Sequence, residues 1–111
     1  MYTKAGAYFF KGRIYKAKER RNMLKIWGKL WVRDKVVKSY TVENVQRTGS
    51  LEACVKSALP EIIGVFDLPM PIFLPSNRED IERFGQTRFT ADHFVESFPY
   101  QSLEIEIIET E

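Results

Sequence analysis

The sequence predicts an α+β fold, an antiparallel sheet of three to five strands with one main helix packed on one face. Three observations carry this expectation. Residues 24–32, LKIWGKLWV, alternate between Leu24, Ile26, Leu30, Val32 on one side and Lys25, Trp27, Lys29, Trp31 on the other, the period-two pattern of a half-buried strand. Residues 102–109, SLEIEIIE, set Leu103, Ile105 and Ile107 against Glu104 and Glu106 in the same way. Between them, Leu51, Val55, Ala58, Leu59, Ile62 and Phe66 fall on one helical stripe.

The elements follow in chain order. Residues 7–17, AYFFKGRIYKA, are aromatic and β-branched and predict a strand with a bulge at Gly12, and KERRN (18–22) is a polar connection. Strand 24–32 ends at RDK, and VVKSYTVEN (36–44) is again β-branched, which signals a hairpin. With a three-residue loop, Arg33 to Lys35, Val32 faces Val36, Leu30 faces Lys38, Gly28 faces Tyr40 and Ile26 faces Val42, so that Tyr40 covers the gap beside Gly28. A two-residue loop would slip that register. Ser50 or Thr48 caps the helix that follows. Pro60 cannot donate to the Lys56 carbonyl, so a kink or a break is expected near Leu59 and Pro60, and Pro69 stops the helix. LPMPIFLP (68–75) carries three prolines and is expected as an edge strand or irregular packed backbone. Ser76 and Glu79 have capping-box spacing and predict a two-turn helix through Ile81 and Phe84 that Gly85 ends. In 87–100, Thr90 caps a turn or short helix presenting Phe89, Phe94 and Val95 to the core.

At 111 residues, residues 1–111 are read as a single domain. Apolar residues make up 44% and aromatics 14%, enough burial to offset the ordering entropy. The single cysteine, Cys54, excludes an intramolecular disulfide and a cysteine-only zinc site, and reads as a small buried filler. No apolar tract approaches the ~18 residues that span a bilayer. A cytoplasmic protein without a membrane partner is therefore expected. The net charge of +2 conceals a division: residues 1–40 carry 12 Lys/Arg and 2 Asp/Glu, a balance of +10, and residues 41–111 carry 5 and 13, a balance of −8. Such asymmetry marks either a nucleic-acid footprint or two halves that neutralise each other on packing; the size of the domain favours neutralisation.

Catalytic chemistry has little to stand on. His93 is the only histidine, and the glycines never cluster into a phosphate cradle. Asp92, His93 and Glu96 are close enough to share a helical turn, but a surface polar turn explains them without a metal. No catalytic residue, metal ligand or cofactor is assigned. The candidate binding face is Lys25, Trp27, Lys29 and Trp31. Lysines that follow phosphates and indoles that stack on bases are the parts of a sequence-tolerant single-strand binder. The same face has an internal suitor: if the last strand lies beside strand 24–32, Glu104 and Glu106 stand across from Lys25 and Lys29 as cross-strand charge pairs.

The tract from WGK to LEIEII, with PIFLPSN and TRF between, resembles a family of small uncharacterised bacterial proteins of unassigned function. The resemblance implies a discrete bacterial family domain and transfers no site residue. The expected function is a small non-enzymatic protein-interaction module that self-associates, or docks on another protein, through its aromatic sheet face. The alternative is a single-stranded nucleic-acid binder using the Lys/Trp strand.

Overall fold

The computed structural model describes residues 8–10, 13–15, 23–47 and 49–109. In chain order the elements are β1 (Tyr8–Phe10), β2 (Arg13–Tyr15), β3 (Met23–Val32), β4 (Lys35–Gln46), α1 (Leu51–Phe66), α2 (Pro75–Phe84), β5 (Gln86–Phe89), a 3-10 turn (Ala91–His93) and β6 (Ser102–Glu109). β1 and β2 pair as a hairpin with Tyr8 opposite Tyr15. The single strand expected over 7–17 is therefore two strands; the bulge expected at Gly12 and the connection at 18–22 lie outside the described residues.

The remaining strands form one antiparallel sheet in the order β4-β3-β6-β5. β3 and β6, the two segments with the clearest alternation, are its central neighbours. The β3–β4 turn has two residues, Arg33 and Asp34, not the three expected. Both are left-handed, with φ of 50° and 62°, as a two-residue loop matched to strand twist requires. Gln101 holds the turn: its Oε1 accepts from the Asp34 N–H at 2.8 Å and its Nε2 donates to Asp34 Oδ1 at 2.9 Å.

The shorter turn replaces the expected Val32–Val36 pair with Val32–Lys35, yet the inner register survives. A bulge at Val37 absorbs the extra residue, so Leu30 faces Lys38, Gly28 faces Tyr40 and Ile26 faces Val42. A second bulge follows at Asn44, left-handed at φ 58°, before Leu24 pairs with Val45.

α1 begins where Ser50 Oγ accepts from the Ala53 N–H at 3.1 Å. It runs unbroken through Pro60, so of the kink or break expected there the break is absent. Pro60 and Lys56 are both exposed, which leaves the carbonyl deprived by the proline on the solvent side. The helix ends in a Schellman pattern: Asp67 is left-handed at φ 56°, and the Leu68 N–H reaches the Ile63 carbonyl at 2.9 Å. Its apolar stripe, including Val55, Ala58, Leu59, Ile62 and Phe66, is buried against Leu24, Ile26, Leu30, Leu103 and Ile105 of the sheet. The space beside Gly28 is taken by Ile62, not by Tyr40: a Cβ on Gly28 would lie 2.6 Å from Ile62 Cγ2. Tyr40 instead donates its hydroxyl to Glu61 at 2.6 Å, and this bond, with some burial, raises the phenol above its usual value.

α2 starts at Pro75 in the first helical position, so its cap is Leu74, two residues ahead of the expected cap Ser76. Its start is closed by Asn77, whose Oδ1 accepts from the Leu74 N–H at 2.9 Å; Glu79 instead pairs along the helix with Arg83. The helix has ten residues, longer than the two turns expected, and Gly85 ends it at φ 68°. Asn77 also donates to Thr87 Oγ1 at 2.8 Å, which ties α2 to β5 on the α1 side of the sheet. Segment 68–74 is irregular, joined to the 3-10 turn by Ile72 N–H donating to the His93 carbonyl. β5 was not expected as a strand. Its last residue, Phe89, is buried, as are Phe94 and Phe98 beyond it, whereas Val95, expected inside, is 88% exposed.

Candidate functional site

Because both helices lie on the Leu24–Ile26–Leu30 side, strand alternation turns Lys25, Trp27, Lys29 and Trp31 to the other face of the sheet. β6 brings Glu104 opposite Lys29, Glu106 opposite Trp27 and Ser102 opposite Trp31. β5 adds Arg88 beside Glu104. All four candidate residues thus occupy one face, and three of them enter one cluster.

The cluster is built around a buried ion pair. Lys29 is 9% exposed and Glu104 6%, fractions at which unpaired charges are not tolerated. Lys29 Nζ lies 3.0 Å from Glu106 Oε1 and 3.6 Å from Glu104 Oε1, and sits 3.9 Å from the centre of the Trp27 ring. Glu104 accepts a further hydrogen bond from Trp31 Nε1 at 2.8 Å, and Arg88 approaches it at 3.6 Å. The Arg88 guanidinium also stands 5.0 Å from the Trp31 ring centre. Each indole therefore carries a cation over its ring, an attraction worth about 0.5–2 kcal/mol according to exposure. The Ser102 hydroxyl, buried beside Trp31, has no hydrogen-bond partner among the described residues.

Lys25 does not join this cluster. It pairs with Glu43 of β4 at 3.2 Å rather than with an acid of β6, because β6 presents Ile108 at the position opposite Lys25. Glu104 was expected on a solvated strand face and is instead buried under the network. Arg88 was missed in the sequence, since nothing local identifies 86–89 as a strand. The bridges from Lys25 and Lys29 to Glu43, Glu104 and Glu106 join the basic stretch to the acidic one inside a single sheet.

A shallow depression of about 270 Å³ lies at the β5 edge of the sheet, lined by Asp80, Phe84 and Thr87 from the helix side and by Gln86, Arg88 and Glu104 from the Trp side. Four of its polar residues meet in pairs: Thr87 donates to Asp80 at 3.1 Å, and Arg88 faces Glu104.

The Asp92, His93, Glu96 group does not assemble. Only Ala91–His93 form a helical turn; Phe94 is extended and the chain bends at Val95 and Glu96. His93 closes that turn, its Nδ1 accepting from the Thr90 N–H at 3.0 Å, and its ring packs edge-on against Phe89. Among the described residues no group of three His, Cys, Asp or Glu is placed to hold a metal ion. Cys54 is buried in α1, and among the described residues no helix is long and apolar enough to cross a membrane.

Fold and face together define a four-stranded α+β protein with helices on one side of the sheet and a charge-neutralised, tryptophan-bearing surface on the other. No family model, curated protein or solved structure matches the chain.

Proposed function

We propose that this chain is a small non-enzymatic interaction module that self-associates through the Lys/Trp face of its sheet. The observation that carries the reading is how the polar groups of that face are already used. Lys29, Glu104, Arg88 and the Trp31 N–H satisfy one another, so the half-exposed Trp27 and Trp31 offer mainly ring surface to a partner. Aromatic surface of this kind is enriched at protein interfaces, and a second copy supplies the same surface under two-fold symmetry. A phosphate backbone requires free cations, and on this face they are engaged. His93, spent on closing a turn, gives an enzyme reading no support. A cytoplasmic bacterial homodimer, with Cys54 kept reduced in the core, is the setting this reading implies.

Light scattering on the purified protein tests it. The expected mass is twice the 13.0 kDa of the chain, falling to the single-chain value in a Trp27→Ala variant that retains its circular dichroism spectrum. A wild-type protein that stays monomeric at tens of micromolar would remove self-association.

A further inference from the structure

The cations of the structure are unevenly served. Lys25, Lys29, Lys56, Arg78, Arg83 and Arg88 each have a carboxylate partner. Arg33, Lys35 and Lys38 are exposed and have none among the described residues. All three lie at one end of β4, beside Val36 and Val37, which are 43% and 50% exposed. β4 is an edge of the sheet, and its residues 38–42, which keep regular register between the two bulges, make no backbone hydrogen bond on their outer side among the described residues. That stretch is about 17 Å long at the rise of a strand, room for an added strand.

We propose that the β4 edge is a docking site for an extended, acidic segment of a partner protein, which adds as a fifth strand beside residues 38–42. The register sets the chemistry of that segment. Lys35 and Lys38 stand opposite Val32 and Leu30 and so project toward the helix side, whereas Val36 stands opposite Trp31 and projects toward the Trp side. An incoming strand meets Lys38 and Lys35 with acids on the helix side and Val36 with an apolar residue on the Trp side, where Ser39 and Thr41 continue the row with hydroxyls. Glu61, bonded to Tyr40 on the helix side, confines the acids to the Lys35–Lys38 end. Edge lysines repel indiscriminate strand pairing, so the charge acts as a selection. A second β4 edge does not satisfy it. In an antiparallel self-pair the only acid of the strand, Glu43, lies with Lys25 on the opposite face from Lys35 and Lys38. Arg33 adds to the case, because it holds a left-handed φ of 50° that Asn or Gly adopts at lower cost.

The test uses a fluorescein-labelled peptide of about ten residues alternating Glu and Val, titrated with the full chain and followed by anisotropy. Saturable binding is expected, weakened about tenfold or more by Lys35→Glu with Lys38→Glu. Two further peptides, N-methylated at alternate residues in either phase, separate strand addition from simple charge attraction. One phase should bind like the parent and the other should not bind, since only one row of amides faces β4. Three results would overturn the proposal: no saturable binding of the parent peptide, equal binding of both N-methylated phases, or oligo-dT competing for the same lysines. Scattering mass and peptide anisotropy are independent readouts, so loss of self-association leaves this test intact.

Discussion

Gly28 shows how one side chain's absence positions two layers. It faces α1 from the centre of β3, and the Ile62 methyl occupies the place of its missing Cβ at 2.6 Å. Ile62 is fully buried, so it has no room to withdraw. Gly28→Ala is therefore expected to lower stability by about 1–3 kcal/mol, the usual cost of overpacking, read as a lower urea midpoint at unchanged slope. An unchanged midpoint would show that α1 shifts freely on the sheet. Glu104 makes the complementary point, since its carboxylate, chosen by alternation for a solvated row, is buried only because Trp31, Lys29 and Arg88 close over it.

Between elements, Glu52 joins the two helices. From the first turn of α1 it meets Lys56 one turn on at 2.8 Å and Arg78 of α2 at 2.7 Å. The hydrogen bond from Lys56, followed by the charge of Arg78, holds its carboxyl below the usual glutamate value despite the opposing effect of desolvation. A carboxyl with a depressed folded-state pKa contributes stability that is complete above its unfolded value and lost as pH falls through the folded value. The stability difference between wild type and Glu52→Gln should thus be constant near neutral pH and shrink as pH is lowered through and below the ordinary glutamate range. Urea melts across that range check it, and a pH-independent difference would deny the link. None of this joint was legible beforehand, because Glu52 and Arg78 are brought together only by the packing of α1 on α2.

For the whole molecule, the charge division of the chain is offset in part within the sheet. Lys25 and Lys29 come from the +10 stretch, while Glu43, Glu104 and Glu106 come from the −8 stretch. Both tryptophans of the chain report on the face where these charges meet. Oligo-U or oligo-dT should therefore cause no saturable quenching of tryptophan emission at about 0.15 M salt, where exposed charges are screened beyond roughly 8 Å. Micromolar quenching that Trp27→Ala with Trp31→Ala abolishes in a folded protein would make nucleic acid the leading partner.

The alternation of β3 and β6, the buried stripe of α1, the Ser50 and Gly85 boundaries, and the membership of the Lys/Trp face are written in the local order of residues. Each is a period or a cap, set by neighbours in the chain. The remaining features came from long-range packing. The Arg33–Asp34 turn is clasped by Gln101, and β5 exists because β6 offers its edge. Pro60 is tolerated because its side of α1 faces solvent. The partner of Lys25 is Glu43 and not an acid of β6, because Ile108 occupies the position across from it. These outcomes depend on which remote segments meet and in what register, and a residue slip along a strand would turn every one of those side chains to the other face.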